Sequence, residues 1–295
     1  MASFIEKQII KIAKKAMGKK LKFEEIPNIP KDDLIENNNV PYSTRDGGNL
    51  FMDIIKPNTN DKLPIIIYIH GGGLFTGQKE TSTSFCRLLA KKGFVVFSLE
   101  YRLVPNVKVY DQINDIFSGM DFVKTKLSEY NADEERIYMA SESAGSFLSL
   151  YVTAINNSRI LQNAFNCIPS DITIRAQGLL SGMFYTKKKD EIGIFLSLPF
   201  YGNDSRNKDV FKYLNPEHEE IIGNIPPSYL VTSKNDFIEN YTLEFSKRLT
   251  EKGTEHKLTQ MGDDEKLIHA FPVLKPNYKE SQFVIDEMID WFNEH

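Results

Sequence analysis

The sequence predicts a three-layer α/β sandwich, in which a mostly parallel central sheet is flanked by helices and carries a helical cap. Short apolar runs alternate with segments of helical periodicity along most of the chain. This alternation implies parallel strands joined by right-handed crossovers. Residues Leu63–Ile69 form a continuous apolar run, which is typical of a strand buried on both faces of such a sheet.

The N-terminal forty residues are expected to lie outside this sandwich. Residues 2–20 predict a basic amphipathic helix, whose apolar face would contain Phe4, Ile5, Ile9, Ile12, Ala13 and Ala16. Such a helix either packs on its own domain or lies on a membrane surface, and the first interpretation is favoured because packed amphipathic helices are common. Residues 24–40 contain Pro27, Pro30 and three consecutive asparagines, which predicts a connector with little regular structure.

The elements after this connector follow from their residue patterns. Residues 40–55 predict two strands joined by the turn 46–49, because its Asp-Gly-Gly-Asn sequence suits a tight hairpin turn. The buried run 63–69 is the next strand. The remaining predicted helices are 82–92, 111–128, 144–155, 237–252 and 277–293, and the remaining predicted strands are 94–100, 136–139, 174–180, 228–232 and 256–260.

Residues 183–225 interrupt the alternation of strands and helices. The segment is longer than an ordinary connection between elements, which favours an inserted lid over a structureless loop. It carries many aromatic residues, namely Phe184, Tyr185, Phe195, Phe200, Tyr201, Phe211 and Tyr213. One exposed patch of this size is not expected on a monomer, so the aromatic set should cover something.

Composition and charge exclude several classes of function. The net charge of −4 shows no basic excess, so no nucleic-acid partner is expected. The sequence has no 18-residue apolar run and no secretory leader, so we expect no stable membrane insertion and a cytoplasmic location. Cys86 and Cys167 lie far apart in apolar surroundings, which favours buried thiols over a disulfide. The oligomeric state stays open.

The turn Ser141-Glu142-Ser143-Ala144-Gly145 joins a predicted strand to a predicted helix. A serine at the centre of such a turn lifts its hydroxyl clear of the sheet, near helix N–H groups that favour developing negative charge. The pattern partly matches the G-x-S-x-G nucleophile elbow, since Ser141 replaces the first glycine. Small-residue turns are common in α/β proteins, so the candidate nucleophile Ser143 needs support from other motifs.

A second motif, His70-Gly71-Gly72-Gly73, follows the buried strand at the edge of the sheet where ligands bind. Consecutive glycines let backbone N–H groups approach a reacting atom closely, as an oxyanion hole requires. Phosphate and dinucleotide binding are disfavoured, because the residues that follow lack the Gly-Lys-Ser/Thr of a P-loop and the third glycine of a dinucleotide fingerprint.

A serine nucleophile needs a base within hydrogen-bond reach and a carboxylate that orients the base. His269 is the candidate base because it lies in a loop between the last predicted strand and the last predicted helix. Asp236 follows strand 228–232 and is the favoured acid, although an aspartate there is also a common helix cap. The competing carboxylates are Asp263, Asp264 and Glu265, in an acidic run of the kind that usually faces solvent.

Taken together, these motifs resemble the hormone-sensitive-lipase-like branch of α/β-hydrolase esterases, which includes bacterial carboxylesterases and acetyl esterases. The resemblance extends from about residue 40 to the end, and the order Ser143, Asp236, His269 is that of α/β-hydrolases. The matching pieces are His70–Gly73 with Gly77, residues 85–90, Tyr101–Pro105, the elbow, Asp236 and His269–Phe271.

The resemblance implies a role for each motif. Ser143 would be the nucleophile, His269 the general base and then acid, and Asp236 the carboxylate that orients it. The oxyanion hole would be formed by N–H groups of Gly71, Gly72, Gly73 and Ala144. Residues 1–40 would be an N-terminal cap segment, 41–182 and 226–295 the catalytic domain, and 183–225 an inserted cap or lid.

We therefore expect a serine esterase that hydrolyses small acyl esters, short-chain or acetyl, through an acyl-enzyme intermediate. No metal or organic cofactor is expected, because no His, Cys and Asp cluster has ligand spacing. Two alternatives stay open, a serine peptidase of the same fold and a non-catalytic binder that keeps the fold. Two departures from the family, Asn106 for the usual glutamate and Phe237 for the usual proline, leave the natural ester undefined.

Overall fold

The computed structural model describes residues 2–20, 26–202 and 209–295 of the chain. Its strands are β1 (Leu34–Ser43), β2 (Asn49–Pro57), β3 (Leu63–Ile69), β4 (Val95–Leu99), β5 (Ala132–Glu142), β6 (Gln177–Leu180), β7 (Ser228–Ser233) and β8 (His256–Met261). Its helices are α1 (Phe4–Lys20), α2 (Thr83–Lys91), α3 (Val109–Lys126), α4 (Ala144–Asn157), α5 (Arg159–Phe165), α6 (Glu191–Phe195), α7 (Ser197–Tyr201), α8 (Glu219–Ile222), α9 (Glu239–Lys252), α10 (Phe271–Leu274) and α11 (Lys279–Glu294). Short 3₁₀ helices are Lys79–Ser82 and Asp209–Leu214.

The strands form one sheet in the order β1-β2-β4-β3-β5-β6-β7-β8. β1 and β2 form an antiparallel hairpin and β2 runs antiparallel to β4, whereas every pairing from β4 through β8 is parallel. The parallel strands end at one common edge of the sheet. The loops that follow β3, β5, β7 and β8 therefore meet at that edge, which is the region where the sequence places its motifs.

Strand β3 shows why the protein has three layers. Successive side chains of a strand point to opposite faces, and both faces of this central strand are buried. Ile65, Ile67 and Ile69 belong to one buried apolar cluster, which also contains residues of α3 and α4. Ile66 and Tyr68 belong to a second buried cluster, formed with α2 and α11. The continuous apolar run of the sequence thus supplies both cores.

The predicted connector 24–40 is wrong over its last part, because β1 begins at Leu34 and not near Val40. Leu34 pairs with Pro57 across the hairpin, and the register shifts between Asn37 and Val40. Asn39 has a φ of +55°, a backbone conformation that asparagine tolerates better than most residues. The asparagines form an irregularity inside a strand, so they removed the alternation of apolar residues by which a strand is recognised.

The N-terminal helix α1 packs on α7, as the favoured interpretation predicts, but it uses only part of the predicted apolar face: Ile9 and Ala13 pack against the buried core. Ile10 is buried, and the buried Glu6 forms an ion pair with Lys108. Phe4, Ile5, Ile12 and Ala16 of the predicted apolar face are exposed. The apolar arc of α1 is therefore wider than the surface it packs against. No helix within the described residues is long and apolar enough to cross a membrane.

The aromatic residues of segment 183–225 do not act as one set. Most of them belong to the buried core, including Phe184, Phe200 and Tyr201, whereas Phe195 is largely exposed. The segment contains α6, α7 and α8, and these short helices were not predicted individually. Cys86 and Cys167 are buried and free, as predicted.

Candidate active site

Ser143 lies between β5 and α4 in a backbone conformation that few non-glycine residues adopt, with φ of +53° and ψ of −117°. Two hydrogen bonds hold this turn: the Ser143 N–H donates to the Leu180 carbonyl at 2.9 Å, and the Met183 N–H donates to the Ser143 carbonyl at 3.0 Å. The strained turn directs the hydroxyl away from the sheet. Its Oγ lies 2.8 Å from Nε2 of His269.

The residues around Ser143 have to be small because helix α4 starts against strand β3. A Cβ on Gly145 would lie 2.2 Å from the Ile69 carbonyl oxygen, so only glycine fits there. Ser141, which takes the place of the first glycine of the motif, is fully buried. Its carbonyl accepts a hydrogen bond from Ser146 Oγ at 3.0 Å. Serine therefore fits at position 141 without disturbing the turn.

His269 is held between Ser143 and Asp236. Its Nδ1 lies 2.7 Å from Asp236 Oδ1, so with the proton on Nδ1 the imidazole donates to the carboxylate and its Nε2 accepts from Ser143. The next residue, Ala270, has a φ of +55° and its N–H donates to Ser181 Oγ at 3.0 Å. The ring of Phe237 packs on the imidazole with a centroid distance of 4.6 Å. The loop is thus fixed from both sides of the histidine.

Asp236 makes both contacts that the sequence offered as alternatives. Its Oδ1 accepts from His269 and also from the Ile238 N–H at 2.9 Å, next to the start of α9. Burial opposes ionisation of this carboxyl, but the electrostatic interaction with His269 and the hydrogen bonds from His269 and Ile238 outweigh it and lower the pKa of Asp236. The carboxylate is therefore favoured, as an orienting acid requires.

The competing acidic run lies elsewhere. Asp263, Asp264 and Glu265 are exposed. Asp263 accepts from the side chain of Asn235 at 3.2 Å, and Asp264 accepts from the Lys266 N–H at 2.9 Å. Neither carboxylate hydrogen-bonds to His269 within the described part of the chain. Of the candidate acids, Asp236 is the one that the structure brings to the histidine.

The glycine loop after β3 has a conformation that requires glycine at two positions. Gly72 and Gly73 have φ values of +108° and +64°, and a Cβ on Gly72 would lie 2.1 Å from the Thr76 carbonyl oxygen. The Gly71 N–H donates to Glu142 Oε1 at 2.8 Å. Gly71 is therefore not a free donor, which narrows the predicted oxyanion donors to Gly72, Gly73 and Ala144. No described residue accepts a hydrogen bond from these three N–H groups.

Glu142 is a site residue that the sequence did not single out. It is buried beside Ser143, and besides the Gly71 N–H it accepts from the Tyr68 hydroxyl. Burial raises the pKa of Glu142 to about 7, although the hydrogen bonds from Tyr68 and Gly71 act in the opposite direction. Its only signal in the sequence is its place at the variable position of the elbow, which carries no chemical constraint of its own.

His70 supports the same loop from the other side. Its ring stacks on Tyr101 with a centroid distance of 4.3 Å, and the Tyr101 hydroxyl donates to the His70 carbonyl at 2.8 Å. The His70 Nδ1 lies 2.8 Å from the Gly71 carbonyl oxygen. Burial lowers the pKa of His70 to about 4, so this imidazole is neutral near pH 7 and acts through hydrogen bonds and not through charge.

A cavity of about 670 Å³ lies above Ser143 and His269. Its described lining contains no lysine or arginine, and most of the side chains in it are apolar. The apolar side chains come mainly from α1, α6 and the loops at the sheet edge, namely Ile9, Ile12, Ala13, Ala16, Met17, Phe75, Met183, Ile192, Phe195, Leu196, Phe237, Ile238, Ala270 and Leu274. The described residues hold no group of three His, Cys, Asp or Glu side chains suited to a metal ion.

The chain is similar in sequence and in structure to several esterases. A family model described as BD-FAE matches residues 52–178. A probable isoprenylcysteine alpha-carbonyl methylesterase from Arabidopsis thaliana is 32% identical over 37% of this chain, and the match covers 26% of that protein. The carboxylesterase NlhH from Mycobacterium tuberculosis is 24% identical over 73% of this chain and 68% of its own length. The chain thus spans about a quarter of the first of these relatives.

Among solved structures, esterase B from Lactobacillus Rhamnosis superimposes with a TM-score of 0.82 at 21% identity, over 97% of this chain and 93% of that one. The chain therefore has the α/β-hydrolase fold, and the predicted fold class is confirmed. The predicted resemblance to α/β-hydrolase esterases, bacterial carboxylesterases among them, is confirmed as well. The predicted enzyme class, carboxylic ester hydrolase, is the class to which these named proteins belong.

Proposed function

We propose that this α/β-hydrolase is a serine esterase that hydrolyses small, uncharged acyl esters through an acyl-enzyme intermediate. One observation carries the proposal: Ser143 Oγ, His269 and Asp236 form a continuous line of hydrogen bonds of 2.8 and 2.7 Å beneath an apolar cavity. A hydroxyl, an imidazole and a carboxylate in this order are the parts that acyl transfer needs. The esterase relatives support the same class.

Acylation would begin with proton transfer from the Ser143 hydroxyl to His269 Nε2, while Oγ bonds to the ester carbonyl carbon and the carbonyl π electrons move to oxygen. The resulting oxyanion would be stabilised by the free N–H groups of Gly72, Gly73 and Ala144. As the carbonyl re-forms, the bond to the alkoxy oxygen breaks. His269 then returns its proton to that oxygen, and the alcohol leaves.

Deacylation would repeat these steps with water. His269 Nε2 takes a proton from the water molecule as the water oxygen bonds to the acyl carbon. Collapse of the second tetrahedral intermediate breaks the bond to Ser143 Oγ, which takes back the proton, and the carboxylic acid is released. Throughout, Asp236 would hold the imidazole in the required tautomer and stabilise its positive charge.

The cap would determine which esters enter. The cap would contain α1 and α6, and both helices line the cavity at the edge of the sheet. Its N-terminal part would end before Leu34, where β1 joins the sheet, and not at residue 40; its second part would be the inserted segment 183–225. The absence of lysine and arginine from the described lining favours a substrate without a carboxylate or phosphate next to the scissile bond. A cavity of about 670 Å³ leaves room for an acyl group and an alcohol group together.

The proposal is tested with a panel of p-nitrophenyl esters of increasing acyl length and with a phosphonate that modifies reactive serines. We expect hydrolysis by the native protein and a loss of about 10⁶-fold in kcat in Ser143→Ala, the scale of removing a serine nucleophile. The matched control is Ser141→Ala, two residues earlier in the same turn, which should retain activity. The phosphonate should modify Ser143, and a melting curve should show that Ser143→Ala is folded.

Three results would contradict the proposal. Activity that survives in Ser143→Ala and is lost in Ser141→Ala would show that Ser141, and not Ser143, is the nucleophile. Cleavage of amides faster than of matched esters would identify a peptidase. Ester binding without turnover by the folded native protein would identify a binder that keeps the fold.

A further inference from the structure

Helix α1 exposes large apolar side chains that the fold does not cover. Phe4, Ile5 and Ile12 are 76%, 63% and 69% exposed. The helix itself is firmly attached to the domain, because Ile10 is buried in the core and Glu6 forms its ion pair with Lys108. Lys108 also donates to the Pro199 carbonyl of α7 at 3.1 Å. The exposed residues therefore lie on a second face of a helix that is already docked.

This second face is continuous with the entrance of the cavity. Ile5 and Ile12 are seven residues apart and Ile12 and Ala16 are four apart, so the three lie on one side of α1. Ile12 and Ala16 also line the cavity. Two further lining residues from other parts of the chain, Phe195 and Phe237, are 63% and 42% exposed. The cavity thus has an apolar rim, and the outer face of α1 extends it.

Lysines border the apolar face of α1. Lys7, Lys11, Lys14 and Lys15 are all exposed, and none of them forms an ion pair within residues 2–20, 26–202 and 209–295. The acidic Glu6 of the same helix is already neutralised by Lys108. The whole protein has a net charge of −4, whereas these four neighbouring lysines give the outer side of α1 a local positive charge. Two acidic residues belong to the described lining of the cavity, the buried Glu142 and the exposed Glu191.

We propose that the outer face of α1 docks the protein on an anionic lipid surface with the mouth of the cavity toward the lipid. A helix with exposed apolar residues beside exposed lysines has the two features that interfacial binding requires, apolar area for the headgroup boundary and positive charge for anionic lipids. The buried face of α1 packs on the domain and its outer face binds lipid, so both interpretations of the amphipathic pattern apply. The proposal is independent of the catalytic role of Ser143.

A second copy of the chain fits this face less well than lipid does. In a two-fold dimer the same patch meets itself, so the four exposed lysines of one α1 would face the four of the other. Anionic lipid instead neutralises each of them. In the cytoplasmic location expected from the sequence, the nearest anionic surface is the inner leaflet of the membrane.

The test is sedimentation of the full chain with phosphatidylcholine vesicles, with and without phosphatidylserine, at low and high salt. We expect binding to the phosphatidylserine vesicles that weakens at high salt. The double variant Lys11→Glu/Lys15→Glu should bind at least about 25-fold more weakly, since each lysine contributes about fivefold in affinity. Ile5→Glu should also lose binding, because it places a charge on the apolar face.

Each variant has a control. Ile160→Glu replaces a 53% exposed isoleucine of α5, outside α1 and the cavity lining, and should bind vesicles like the native protein. Ile5 does not line the cavity, so Ile5→Glu should hydrolyse a dissolved short-chain ester at the native rate. Ser143→Ala should bind vesicles normally, so failure of the proposed function and failure of docking are separate results.

Several outcomes would overturn the docking proposal. The proposal is wrong if the native protein does not sediment with phosphatidylserine vesicles. It is also wrong if binding persists unchanged in Ile5→Glu and in Lys11→Glu/Lys15→Glu. Equal binding to phosphatidylcholine alone would remove the role of the lysines. A dimer in sedimentation velocity that Ile5→Glu dissociates, together with absent vesicle binding, would assign the face to a second copy of the chain.

Discussion

The two sides of the cavity are built in opposite ways. We call the side at the sheet edge, with Ser143, His269 and Asp236, the floor, and the side formed by α1 and α6 the roof. The floor consists of polar groups that are nearly all buried and hydrogen-bonded: Ser143 contacts His269, and His269 contacts Asp236. The roof, supplied by α1 and α6, is apolar, and Phe195 and Ile12 are mostly exposed. The positions of the floor side chains are fixed by hydrogen bonds, which have a preferred direction and length. The position of the roof helices depends instead on apolar packing, which has no preferred direction and leaves part of their apolar surface exposed.

From this difference we expect the floor to govern the rate of ester hydrolysis and the roof to govern which esters are accepted. The positive φ angles of Ser143, Ala270 and Gly72 are held by backbone hydrogen bonds and close packing, so a change in the floor should alter the chemistry at once. The roof residues offer apolar surface to the cavity and, in the proposed function, no directional polar contact to one atom of the ester. Changes there should alter which ester is accepted while leaving the acyl-transfer machinery intact.

After removal of the nucleophile in Ser143→Ala, the largest expected effect is that of Asp236→Asn, also in the floor. The variant should lose about 10⁴-fold in kcat, because the amide no longer holds His269 in the tautomer that accepts the Ser143 proton. Ester hydrolysis by the purified variant measures this loss. Loss of a helix cap would cost only about 1 kcal/mol of stability, so the melting temperature should change little.

Asp263→Asn and Asp264→Asn are the matched controls and should keep their activity. They remove the same charge from neighbouring exposed residues that do not reach His269. An active Asp236→Asn together with an inactive Asp264→Asn would move the orienting acid to the loop. Asp236 would then be only the residue that accepts from the Ile238 N–H.

A smaller effect should separate two phenylalanines of the inserted segment. Phe200 is fully buried and belongs to the core, so Phe200→Ala should lower the free energy of unfolding by about 3–5 kcal/mol. Phe195 is exposed and lines the cavity. Phe195→Ala should therefore leave the melting temperature nearly unchanged and shift the acyl-length profile of ester hydrolysis. Equal losses of stability in both variants would show that this part of the roof is ordinary core.

The sequence predicts the floor well for a physical reason. A residue at the carboxyl end of a parallel strand reaches the same edge as residues at the ends of neighbouring strands, however distant in sequence. The ends of β3 and β5 therefore bring the glycine loop and Ser143 together, and the loops after β7 and β8 add Asp236 and His269. Strand order alone carries most of this prediction.

The roof and the support of the glycine loop follow from contacts that no local pattern encodes. The inward face of α1 includes Glu6, an acidic residue whose burial is explained by its ion-pair partner Lys108, which lies far away in sequence. Gly71 is engaged by Glu142 only because β3 and β5 are adjacent. Phe200 is buried and Phe195 is exposed because α7 and α6 are oriented differently on the domain. Since both residues are phenylalanines, the sequence does not distinguish them.

The smallest expected effect concerns Glu142, the buried carboxyl that joins floor and glycine loop. Folding raises its pKa from 4.5 to about 7, mainly through burial, so the folded state favours the protonated form. The carboxyl therefore contributes no penalty below pH 4.5. As the pH rises from 4.5 to 7, the unfolded chain ionises first and the folded state loses stability relative to it, and above pH 7 the loss is complete.

Glu142→Gln removes this titration but keeps an acceptor for the Gly71 N–H. Compared with the native protein, the variant should gain on the order of 1 to 3 kcal/mol in stability between pH 4 and pH 8. Melting temperatures of both proteins across that range measure the gain, with the exposed Glu135→Gln as control. Identical pH profiles of Glu142→Gln and the native protein would show that the carboxylate is accommodated without penalty. The hydrogen bonds from Tyr68 and Gly71 would then fully offset the cost of burying the Glu142 carboxylate. The floor would stabilise the ionised form of Glu142 as it stabilises that of Asp236.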